Sequence, residues 1–182
     1  MENDAFSAGV LHGGLYNTAD IKVLICYILS AIGEPIPANS LVNLLHTNGM
    51  ANGFEVSDAI ASLEKNGQIQ VADAEDDAYI VTPAGEEIAA TLGSTLSVTV
   101  KNRAYDLTLK MLTKYKNAKD TVFEITRENG KSYISCTALD GKAPFFAVKM
   151  LLPDESGAEH IKENFLQNSG EIFSTLIENL TK

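Results

Sequence analysis

Most of the residues in this 182-residue chain that could do chemistry fail on spacing. Gly130-Lys131-Ser132 ends like a phosphate-binding loop, but Ile125 occupies the place of the glycine that such a loop needs. Asn129-Gly130 is in any case sufficient as a turn. His12-Gly13-Gly14 matches part of an esterase oxyanion loop, yet the chain holds no Gly-x-Ser-x-Gly nucleophile turn. His12, His46 and His160 share no metal-ligand spacing, so no zinc site is expected. Asp73, Glu75, Asp76 and Asp77 could hold a hard cation weakly, but an EF-hand calcium loop also needs a glycine and a closing glutamate. Nothing pairs a nucleophile with an oriented base. The sequence therefore predicts no enzyme, no cofactor and no metal. Cys26 and Cys136 are too few for a disulfide framework and read as small core residues of a reducing compartment.

Charge is the next constraint. The net charge is −10, with −11 on the first half and +1 on the second. Residues 1–92 hold 13 acids against Lys22 and Lys65, whereas residues 93–182 hold 12 bases and 11 acids. So acidic a balance argues against a protein that coats RNA or DNA, because phosphate contacts need Lys and Arg. The asymmetry places a domain boundary at 92/93. No apolar run reaches the roughly 18 residues of a membrane span. The opening Met1-Glu2-Asn3-Asp4 is acidic where a signal peptide is basic, so a cytoplasmic protein without a membrane partner is expected.

Local patterns supply the elements. Asn17-Thr18-Ala19-Asp20 offers caps before Ile21, Leu24, Ile25 and Ile28, and Gly33 closes this helix. Cys26 and Tyr27 make it apolar almost all round, which suits the centre of a domain. Glu34-Pro35-Ile36-Pro37 must be extended. Leu41, Leu44 and Leu45 mark a second helix ending near Asn48-Gly49, and Val56, Ala59, Ile60 and Leu63 a third, with Gly67 as its cap. Residues 68–71 and 79–81 read as strands joined by the polar segment 73–77. Thr82-Pro83 then opens a fourth helix ending near Leu92. Three helices, a ribbon and a further helix make the pattern of a winged helix-turn-helix.

Leu63-Glu64-Lys65-Asn66-Gly67-Gln68-Ile69 resembles the end of the recognition helix in MarR- and PadR-like transcriptional regulators. Tyr79-Ile80-Val81-Thr82-Pro83-Ala84-Gly85 is similar to the exit from their wing. The whole chain also resembles a bacterial family of unknown function that joins such a module to an α+β domain. The resemblance implies that a dimer reads DNA through the third helix and the wing. On that reading the candidate contacts are Asn48, Asn52 and Gln68, which can hydrogen-bond bases or backbone. Glu55, which can accept from a cytosine amine, joins them, with Asp58, Ser62 and Lys65 on the same helix. Against this stands the acidic wing tip, which repels phosphate where related regulators place Arg or Lys. The alternative is an adaptor whose winged helix docks a protein partner and no DNA.

The second half, 93–182, is expected to be a dimerisation or effector domain of helix, three-stranded antiparallel meander and helix. Its first helix, 98–117, presents Val100, Ala104, Leu107, Met111 and Tyr115 on one face, with Leu112 beside them. Arg103, Lys110 and Lys114 flank that face as a basic stripe suited to phosphate or, in preference, to an acidic surface. Asn129-Gly130 and Asp140-Gly141 are turn signals between strands 121–127, 131–139 and 145–152. The last strand is nearly all apolar, so it is expected to be central or covered on both faces, with Pro153 as its stop. Ile161, Phe165, Ile172, Phe173, Leu176, Ile177 and Leu180 recur at helical spacing. Asn168-Ser169-Gly170-Glu171 offers a capping box that would restart and kink that helix. Such a layer can dimerise, bind a small ligand or recruit a partner; a long apolar C-terminal helix fits a homodimer.

Overall fold

The computed structural model describes residues 8–152, 154 and 157–182. The acidic opening Met1-Glu2-Asn3-Asp4 and the strand stop Pro153 lie outside the described residues. Among those, the chain is a mixed α+β protein with six α-helices and two antiparallel three-stranded sheets. It divides into two compact units, Met1–Met111 and Leu112–Lys182. The division falls inside a helix, and the sequence boundary at 92/93 lies within the first unit.

In the first unit, helix α1 (Thr18–Ile32) begins where Asn17 Oδ1 accepts from the amide of Ala19 and ends at Gly33, whose φ is +70°. Seven of its residues, Ile21 to Leu29 apart from Tyr27 and the polar face, are buried, so it is the core helix its composition implies. Strand β1 (Ile36–Pro37) follows, then helices α2 (Ala38–Thr47) and α3 (Gly53–Lys65). α3 ends in a Schellman turn: Gly67, at φ +68°, donates to Glu64 and Gln68 donates to Leu63. Strands β2 (Ile69–Asp73) and β3 (Ala78–Val81) lead into helix α4 (Pro83–Leu92), capped by Thr82. The sheet order is β1-β3-β2, with Ile36 opposite Tyr79 and Ile69 opposite Val81. The proline-bearing stretch that had to be extended is thus an edge strand, where Pro costs no interior ladder bond. Gly85 is where α4 closes on the residue that leads into β2, since a Cβ there would run into the carbonyl oxygen of Gln68.

Helix α5 (Val98–Lys119) follows a single 3₁₀ turn, Gly93–Thr95. Its buried line is Ala104, Thr108 and Leu112, while Val100, Leu107, Met111 and Tyr115 are half-buried. The apolar periodicity missed Thr108, which is fully buried because its hydroxyl donates back to Ala104 O at 2.7 Å and leaves only a methyl to pack.

The second unit holds strands β4 (Thr121–Glu128), β5 (Lys131–Asp140) and β6 (Ala143–Leu152) and helix α6 (Gly157–Leu180). Asn129 and Gly130, at φ +52° and +74°, form the tight turn between β4 and β5. The sheet order β4-β5-β6 corrects the expectation for the last strand: β5 is central and β6 is an edge. Phe146, Val148, Met150 and Leu152 face the core, while Ala147, Lys149 and Leu151 face outward. Its apolar run reflects one buried face plus outward apolar residues, not burial on both sides. α6 is likewise unbroken, because the Asn168 side chain donates back to Asn164 O and does not cap a new helix. Ile134, Cys136, Ala138, Leu152, Ala158 and Phe165 form this unit's core, with Phe146 stacked 6.0 Å from Phe165. Burial raises the thiols of both Cys136 and Cys26, the latter to about 11, which suits inert core residues. No described helix is long and apolar enough to cross a membrane.

Candidate nucleic-acid interface

The turn between α2 and α3 is clamped from several sides. Leu11 N donates to Gly49 O at 2.9 Å, and Leu15 N to Met50 O at 2.7 Å. Asn52, only 4% exposed, caps α3 by accepting from Phe54 N at 2.9 Å, and its amide donates to Ala8 O at 2.7 Å. Asn48 Nδ2 donates to Leu44 O, and the Asn48 carbonyl accepts from Arg103 Nη2 at 2.9 Å. Residues 8–15 are therefore a strap over this turn. Gly14 is required there, since its Cβ would sit 2.5 Å from Val10 Cγ1 and 2.7 Å from Gly49 O. Gly14 thus has a packing reason and Gly13 a conformational one, its φ of +89°, and no sequence motif signalled either.

α3 turns two of the candidate contacts towards α1. Glu55 accepts from Thr18 Oγ1 at 3.1 Å, and Ser62 accepts from Lys22 Nζ at 2.8 Å. The outward face is instead Phe54, Ser57, Asp58, Ala61, Glu64 and Lys65, with Gln68 half-buried just beyond. Of the sequence-derived set, Asp58 and Lys65 are exposed, whereas Asn48, Asn52, Glu55 and Ser62 have partners within the unit. Phe54, 80% exposed, is the feature that sequence reasoning missed. The apolar spacing begins at Val56, but the Asn52 cap starts the helix three residues earlier, at Gly53. Phe54 lines a small, mostly apolar hollow of about 290 Å³ with Val42, His46 and Ser57.

Charge on the ribbon is negative. The ribbon turn keeps Asp73, Glu75 and Asp77 exposed, and Asp73 Oδ1 accepts from Glu75 N at 3.0 Å. Asp77 adopts φ +48°, and its carbonyl accepts from Ala38 N at 3.0 Å. The Tyr79 hydroxyl donates to Glu64 Oε2 at 3.0 Å. Burial, this bond and the charges of Glu64 and Asp77 push its pKa up to about 12.

The basic stripe does not act as one group. Arg103 holds the Asn48 carbonyl, Lys114 pairs with Glu163 of α6 at 3.0 Å, and Lys110 is exposed. Among the described residues no three His, Cys, Asp or Glu side chains are grouped to hold a metal ion.

Comparison with known proteins finds one family model, Domain of unknown function (DUF4364), over residues 21–180. No curated protein and no solved structure matches the chain. With the match spanning all six helices but the first few residues of α1 and both sheets, the chain belongs to the DUF4364 family.

Proposed function

We propose that residues 8–92 form a winged helix-turn-helix and that the protein is a cytoplasmic transcriptional regulator binding DNA as a homodimer. The observation that carries this reading is the order α1-β1-α2-α3-β2-β3-α4 with a three-stranded sheet β1-β3-β2. In a winged helix, that order makes α3 the recognition helix and the β2–β3 ribbon the wing. The clamped α2–α3 turn supports it, because a reading helix must be held at a set angle. In this role Asp58, Lys65 and Gln68 are the available polar contacts, and Asn48, Asn52, Glu55 and Ser62 position α3. Leu176, Ile177 and Leu180 are 39%, 45% and 79% exposed along α6 and supply the surface for a second copy.

Titration against promoter-rich genomic fragments tests the reading. Binding is expected at about 50 mM salt, falling steeply as salt rises. Replacing Asp73, Glu75 and Asp77 with Asn is expected to tighten it. Absence of binding at that low salt refutes the regulator. Light scattering checks the dimer, and a monomer across the micromolar range refutes it.

The second reading is a protein-docking adaptor. It is favoured by Phe54, which stands 80% exposed one helical turn from Asp58 in a half of the chain that carries 13 acids against two bases. A partner with basic groups around an apolar anchor would suit that surface. The same titration separates the two, since an adaptor leaves every DNA fragment unbound.

A further inference from the structure

α6 carries a glycine at a position where helix propensity argues against one. Gly170 lies well inside the 24-residue helix, an unfavourable site for this residue. Packing does not require it, because a Cβ there would meet no atom within 4 Å. Gly170 opens instead onto a cleft of about 430 Å³ among α5, the start of β6 and α6. That volume lies within the range of small-molecule sites. A local rule broken without a structural gain points to function.

The cleft is lined by polar groups that can accept hydrogen bonds, and Glu171 is its one charged side chain among the described residues. Asn117 Nδ2 donates to Leu166 O at 2.6 Å, and Asn168 Nδ2 donates to Asn164 O at 3.1 Å. Each amide thereby spends one N–H on the helix and keeps its oxygen to accept, beside the hydroxyls of Thr113 and Ser169 and the amide of Gln167. Glu171 adds a carboxylate, and among the described residues no cationic side chain lines the cleft. Phe145, 55% exposed, meets Phe173 edge to face at 5.5 Å. Acceptor oxygens, one negative charge and aromatic rings together suit a ligand that is positive and donates.

We propose that this cleft binds a small organic cation, a protonated amine. Its ammonium would meet Glu171 and the amide oxygens, and its alkyl part Phe145 and Phe173. The site belongs wholly to the second unit and stands whether or not the protein binds DNA.

Amide chemical shifts of the full chain, titrated with spermidine and separately with uncharged triethylene glycol, test it. Saturable shifts at Asn117, Phe145 and residues 168–173 are expected with spermidine alone. Glu171→Gln is expected to weaken binding about fivefold, the size of a partly exposed ion pair. Gly170→Leu, which favours the helix and fills the cleft, is expected to remove the saturable shifts. Shifts confined to residues 73–77, equal response to triethylene glycol, or unchanged affinity in Gly170→Leu would each overturn the proposal.

Discussion

Gly85 is where the sequence motif and the packing can be tested together. It occupies the first turn of α4, where alanine would ordinarily stabilise the helix by about 0.5–1 kcal/mol. The structure reverses that sign. A Cβ at Gly85 would collide with the backbone oxygen of Gln68 and lie 2.6 Å from Val81 Cγ2. Ordinary contact begins near 3.4 Å, so the valine methyl must give by about 0.8 Å and the carbonyl by more. That carbonyl also accepts from Thr82 N at 3.1 Å, while Thr82 Oγ1 donates to Gly67 O at 2.7 Å. Moving it therefore loosens the junction of β2, β3 and α4. Overpacking of this kind costs roughly 1–3 kcal/mol, and a weakened hydrogen bond adds about 1 kcal/mol. After the helix gain is subtracted, Gly85→Ala is expected to destabilise by about 2 kcal/mol, a fall in melting temperature of about 10 °C for a unit of this size. Gly93→Ala is the control, because Gly93 has φ −59° and its Cβ would meet nothing within 4 Å. Thermal unfolding by circular dichroism reads both variants. A Gly85→Ala protein as stable as the parent would refute the close approach of α4 to Gln68.

Asn52→Ala is expected to cost about 1–2 kcal/mol in urea unfolding, because the α3 cap is lost and Ala8 O loses its donor. A variant that loses DNA binding with unaltered stability would instead make Asn52 a direct contact. Phe165→Ala, which removes a ring that packs against Phe123 and Phe146, is expected to cost about 3–5 kcal/mol, and hydrogen exchange should show the loss in the second unit. The Tyr79 hydroxyl titrates at about 12, above its ordinary 10, so folding favours its neutral form. The stability this contributes is complete below pH 10 and is lost as pH rises towards 12. Phenolate absorbance should show one of the six tyrosines lagging, and Tyr79→Phe should remove that laggard.

Local physics made much of the fold legible in the sequence. Asn17, Thr82 and Gly33 announced helix ends because capping and left-handed φ are properties of a few neighbouring residues. Asn129-Gly130 announced its hairpin for the same reason. What the chain order alone could not carry was the outcome of distant contacts. The pairing of β1 with β3 and the edge position of β6 depend on partners far along the chain. The candidate site shows this most clearly. Polarity and spacing selected Asn52, Glu55 and Ser62, but Ala8, Thr18 and Lys22 engage those groups, leaving Phe54, Asp58 and Lys65 outward. Periodicity says which residues share a face of a helix; only the packed neighbours decide which face meets solvent.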